Sequence, residues 1–208
     1  NMPTSDAPQR IRPVDVGSRI DLLWVENDEI EVIVDGQIAI FTLSSGAGTS
    51  QGEFTGTMPA EGTEYDGQYP VGYSDKLLKV QNYVEYAWEG HLMHMRTHTR
   101  GNIDQGFTLH AENAIITLNL TGNSLISKIV VTNNTNQSKY TLLCSGIALR
   151  SVPQEFNIVI PAGNWGRGFN VAVYDQYGAV ISTLNSDNAV QMTAGIALSR
   201  SKNTESGI

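Results

Sequence analysis

Charge, cysteine and long apolar runs are all scarce in this sequence. Of its 208 residues only 16 % are charged, 13 basic against 21 acidic, for a net charge of −8. A chain that grips phosphate needs a concentrated Lys/Arg face. The densest basic stretch here is only Arg96 and Arg100 with His94 and His98 around them, so nucleic acid is excluded as a partner. One cysteine, Cys144, rules out an internal disulfide framework. It lies in the apolar run Tyr140 to Cys144, which predicts a small buried hydrophobe in place of a reactive thiol. No stretch of about 20 apolar residues occurs, so no helix is expected to cross a bilayer. The chain opens Asn1-Met2-Pro3-Thr4 without a charged-then-apolar leader. That fits a cytosolic protein or an exported one whose signal peptide has been removed. Nucleophile elbows, phosphate loops and H-E-x-x-H pairs are missing as well.

What is there is a folded β protein. An apolar fraction of 40 % and a mean hydropathy of −0.18 are enough for a real core. Period-two alternation dominates, at 20–25, 30–34, 37–43 and 53–56 in the first half. It continues at 106–111, 113–121, 126–132, 139–144, 155–160, 168–174, 178–183 and 189–198. Asp35-Gly36 between two such runs predicts a tight hairpin, because both turn positions require positive φ. Tyr69-Pro70 should end a strand, since proline donates nothing to a ladder. Residues 74–90 fit a short helix as well as an extended segment: Leu77, Leu78, Val80, Val84 and Ala87 match a helical stripe only loosely. Short strands at this spacing predict an all-β chain of two consecutive small β-sandwiches. The polar stretch from Arg100 to Gly106 divides them, giving 1–102, 103–200 and a flexible polar tail at 201–208.

Candidate chemistry is thin. His91, His94 and His98 would share one side of a helix and could then hold a metal. The Thr97-His98-Thr99 alternation favours a strand, which points His94, Arg96, His98 and Arg100 outward and parts His94 from His98 by about 13 Å. No metal site is therefore expected. Asp28, Glu29 and Glu31, and again Glu61, Glu64 and Asp66, read as solvated turns, not as a facing catalytic pair. The sequons at Asn119, Asn133 and Asn136 read as strand and turn composition. Trp24 and Trp88 sit in apolar runs and should be core. Trp165, between Gly163-Asn164 and Gly166-Arg167-Gly168, is the best candidate for an exposed ligand platform, with Tyr174 or Tyr177 nearby.

The order of several pieces resembles the fimbrillin family of Bacteroidetes surface proteins. They are the Leu23-Trp24 strand running through an acidic turn to Val32, Gly52 to Gly56 with its Phe54, and Tyr65 to Pro70. The second half adds Phe107 to Leu118 with His110 and Ala114, Ile126 to Val131, Phe169 to Gly178, and Met192 to Gly195. The resemblance implies two transthyretin-like β-sandwiches, no enzyme activity and no cofactor. It implies export to the outer membrane and cell surface, with a lipid anchor on an N-terminal cysteine that this sequence does not contain. Partners would be other fimbrial subunits or a host or glycan surface. In polymerising members an arginine between the first two strands is cut, and the groove so opened takes a strand from the next subunit. Arg19 stands where that arginine would be, with Arg10 and Arg12 as weaker candidates. A polar tail after Leu198 and the short chain depart from a polymerising subunit and fit an accessory, tip or anchor role. The alternative reading is a glycan-binding accessory lipoprotein using Trp165.

Overall fold

A computed structural model describes residues 12–16, 19–59, 61–72 and 77–205, by backbone alone up to Asp21. The first half contains β1 (Arg12–Val16), β2 (Arg19–Leu23), β3 (Glu29–Val34), β4 (Gln37–Ser45), β5 (Glu53–Thr55), β6 (Glu64–Tyr69) and β7 (Val80–Asn82). Then come β8 (Met95–Arg100), β9 (His110–Ala111), β10 (Asn113–Thr121), β11 (Leu125–Asn133) and β12 (Lys139–Ala148). The chain closes with β13 (Gln154–Pro161), β14 (Gly163–Trp165), β15 (Phe169–Asp175), β16 (Val180–Ser186), β17 (Val190–Met192) and β18 (Ala197–Asn203). The protein is all-β and built of sandwich-like layers. The two-residue turn between β3 and β4 has φ of +50° at Asp35 and +76° at Gly36, as the dipeptide requires.

Three sheets carry the body. An antiparallel six-stranded sheet runs β5-β4-β3-β6-β8-β9, a three-stranded one β13-β10-β18, and a five-stranded one β16-β15-β11-β12-β7. The three-stranded sheet lies between the other two. Its Ala114, Ile116, Leu118, Leu120, Phe156, Ile158 and Ile160 enter one core with Ile129, Val131, Leu142 and Val171 of the five-stranded sheet. From its opposite face Ile115 and Val159, directly paired across the ladder, enter the other core with Val32, Tyr65, Tyr69 and Met95 of the six-stranded sheet. This explains the unbroken buried runs at 113–116 and 156–160: a strand covered on both faces has no side to give to water.

The chain leaves the six-stranded sheet at Ala111 and enters the three-stranded one at Asn113, and Ile103, Phe107 and Leu109 pack onto the core of the six-stranded sheet. Among the described residues 77–90 there is no α-helix. Val80–Asn82 instead pair in parallel with Thr141–Leu143, and a single 3-10 turn follows at Gly90–Leu92. The polar end is not a loose tail from Ser201. β18 runs parallel to β10 as far as Asn203, opposite Thr121, and the buried Thr204 donates its hydroxyl to the Thr121 carbonyl at 3.0 Å. Its alternating polar residues mark a strand with one face in solvent, a pattern that a tail of Ser, Arg and Lys hides.

Candidate interaction surface

Trp165, the expected platform, is buried. It is 3 % exposed in β14 and stacks on Tyr140, ring centroids 6.3 Å apart. The glycine-flanked turn folds the indole inward: Gly168 donates to the Trp165 carbonyl at 2.8 Å with φ of +69°. Tyr174 is half-buried under the Lys128 ammonium, 4.6 Å from its ring centroid, and the exposed aromatic of this end is Tyr177. Trp88 is core, and Trp24 is half-buried between Phe54 and Tyr69 in edge-to-face contacts.

Arg19 opens β2, its backbone paired with Val16, and Arg12 opens β1 opposite Leu23. Their side chains, and Arg10 altogether, lie outside the described residues. The β1–β2 hairpin forms a sheet of its own.

The histidines divide. His98 faces solvent on β8 with Arg96 and Arg100, as alternation predicts, and His91 is exposed on the 3-10 turn. His94 corrects the expectation. It precedes β8, is buried, and its backbone N–H donates to Asn113 Oδ1 at 2.8 Å. The core-facing alternation breaks there, because Met93, His94 and Met95 all turn into the protein where β8 meets the central sheet. Among the described residues no three His, Cys, Asp or Glu side chains come together to hold a metal.

Two of the acids, Glu64 and Asp66 of β6, form a ladder with β8 instead. Glu64 meets Arg100 at 2.8 Å and Asp66 meets His98 Nδ1 at 2.8 Å, each across directly opposed backbone positions. Arg96 reaches Glu112 at 2.5 Å. Asp28 closes the turn before β3, accepting from the Val25 N–H at 2.9 Å, and Glu31 accepts from Gly72 N–H at 2.7 Å. Asn133 and Asn136 accept from the backbone N–H two residues on, and Asn119 donates to Ser199 Oγ. Burial pushes the Cys144 thiol up to about 12, so it stays protonated and inert at neutral pH. Among the described residues there are shallow depressions of about 540 Å³ beside Met58, Tyr65 and Ile103 and of about 420 Å³ beside Arg150 and Glu205. Neither places two carboxylates face to face.

What the surface does offer is sheet edges. Among the described strands, β18 lies at one end of its sheet beside β10. On the outer face of β4, Ile38 and Ile40 are 59 % and 49 % exposed. The edge of β13 away from β10 is occupied by a side chain. Gln81 accepts from the Val159 N–H at 3.0 Å and donates to the Val159 carbonyl at 2.6 Å. Sequence reading passed over Gln81, since a lone polar residue between Val80 and Asn82 carries no pattern of its own.

No protein-family model matches the chain, and no curated protein matches it. Among solved structures, one from Bacteroides fragilis NCTC 9343, described as a "putative cell adhesion protein", is similar over 98 % of this chain and 87 % of its own. Its TM-score is 0.50 at 8 % identity. A fimbrial protein from Bacteroides ovatus ATCC 8483 aligns with 88 % of this chain at 11 % identity and a TM-score of 0.43. This chain spans 44 % of that structure's length. At such identities the first likeness speaks for the fold alone.

Proposed function

We propose that this is a non-enzymatic cell-surface protein of adhesive or fimbrial type, exported to the outer membrane of its cell. The observation that carries this reading is the layered all-β body, similar over 98 % of this chain to the Bacteroides fragilis protein described as a "putative cell adhesion protein". Asp28, Glu31, Glu64 and Asp66 are engaged in turns, a backbone contact and cross-strand pairs, which suits a scaffold. Its partners are other surface or fimbrial subunits, or a host or glycan surface, met through sheet edges and end loops. We assign its two units to the two cores, joined at the three-stranded sheet. A lipid on a cysteine upstream of Asn1 would anchor it. With Trp165 buried, a stacking platform for glycans loses the residue it was built on.

Strand addition is the assembly mode in this proposal. A sheet edge presents N–H and C=O groups that another strand satisfies. Cutting after Arg19 would divide the β1–β2 hairpin at its first β2 residue. Limited trypsin treatment is expected to cut near Arg19 and yield higher oligomers in size-exclusion chromatography. A product that is cut there and stays monomeric defeats the strand-exchange version. The encoded precursor's N-terminus tests the anchor: a lipid-attachment cysteine is expected behind a signal peptide.

A further inference from the structure

The five-stranded sheet is completed by a strand from elsewhere in the sequence. β7 lies between β6 and β8 in the chain, both of which belong to the six-stranded sheet, yet it pairs in parallel with β12. Thr141 N–H donates to the Lys79 carbonyl at 2.7 Å and Tyr83 N–H to the Leu143 carbonyl at 2.9 Å. Odd-numbered residues of the segment thus face β12 through their backbone. The side chain of Gln81 turns inward and spans to β13, its one amide satisfying both the N–H and the C=O of Val159. A primary amide presents the same donor and acceptor as a peptide group, so it stands in for a strand that β13 lacks on that side. Tyr83 packs on Phe156 of β13, centroids 5.0 Å apart, and Asn157 Nδ2 reaches the Ala87 carbonyl at 3.4 Å. On the far edge, the Asn82 N–H and amide are both taken by the Glu89 carboxylate, at 3.0 and 3.1 Å.

We infer that the seam between β12 and β13 is a strand-acceptor slot, filled in cis by residues 77–83, and that its trans occupant is the same segment of a second copy of this chain. The fit is set by what already sits there: an extended stretch parallel to β12, with glutamine facing inward and tyrosine two residues on. The segment's ladder covers three residues, and Leu78 and Val80 are each more than half exposed, so its hold rests on Gln81 and Tyr83. Short ladders open at lower free energy than long ones. Release from one copy leaves an identical slot in the next, which is the condition for reciprocal exchange.

The full chain tests this with a fluorescent peptide spanning residues 77–89 as the probe. Three proteins are compared: wild type, Gln81→Ala, and the double variant Val80→Cys with Thr141→Cys, which staples directly paired positions. Amide exchange at Val159 should rise at least tenfold in Gln81→Ala while Ile129 and Val171 amides hold. The peptide should bind Gln81→Ala at least tenfold more tightly than wild type, and a peptide with leucine in place of the glutamine should not. The oxidised staple should refuse the peptide and accept it after reduction. Unchanged Val159 exchange, equal affinity for both peptides, or no peptide binding to Gln81→Ala overturns the inference. Should Gln81→Ala fail to fold, the staple decides alone: binding that is the same before and after reduction, or missing in both, sinks it.

Discussion

The outer face of the six-stranded sheet and the three-stranded sheet at the centre answer the same requirement in opposite ways. On β6 and β8 the charged side chains pair across opposed positions in full view of solvent, and water does most of the satisfying. In β10 and β13 of the central sheet little is left to water: Ile115 and Val159 belong to one core, and Ile116, Ile158 and Ile160 to the other. The comparison teaches where the free energy resides. Exposed ion pairs contribute little because solvent screens them and ordering long side chains costs entropy. A strand buried on both faces holds two cores at once.

Three perturbations would break or sharpen that contrast. The largest is expected from Ile115→Ala, which opens a void where the central sheet meets the six-stranded one. Loss of about 2–5 kcal/mol is the usual range for such a truncation. Because Ile115 pairs with both Val159 and Ala197, chemical denaturation followed by Trp fluorescence and by far-UV circular dichroism should shift together. Separate transitions would show that the two cores are independent. The intermediate effect concerns Cys144. An unfolded cysteine thiol titrates near 9.0, whereas burial in the fold pushes this one up to about 12. Above pH 9 the unfolded chain therefore binds fewer protons, and stability should fall as pH rises through that window, by at most about 1.4 kcal/mol per unit. Cys144→Ala should flatten this alkaline limb in pH-dependent thermal melts, and an identical slope would refute the assignment. The smallest effect belongs to the ladder. Asp66→Asn or Arg100→Ala should change stability by less than about 1 kcal/mol. A larger loss in urea titration would mean the outer face is structural after all.

Local chemistry made much of this fold legible in advance. Alternation placed β10 at 113–121 to the residue, and Asp35-Gly36 announced its hairpin, because both depend on neighbours in sequence. Long-range placement was not legible. The buried run at 113–116 looks the same whether one sheet or two cover it. Residues 80–82 pair with a strand about 60 positions away by sequence, a loop-closure choice that no local pattern encodes. Trp165 among glycines resembles a loop tip, yet the same glycines are what let the turn tuck the ring inside. Of the functional reading, the surface character came from composition and resemblance. The seam was invisible because its key residue is a single glutamine whose meaning depends on Val159.

The parallel course of β18 along β10 has a mechanical consequence. The seven paired positions from Ile115 and Ala197 to Thr121 and Asn203 run in the same direction, ending close to the last described residue. Tension applied to the C-terminal end along the strand axis, with the body held, loads those hydrogen bonds side by side instead of one after another. They resist in shear and must yield together, so the terminal strand would behave as a clasp under pull. Atomic-force pulling along β18 should show one high rupture event, where the same strand pulled across its axis would peel at lower force.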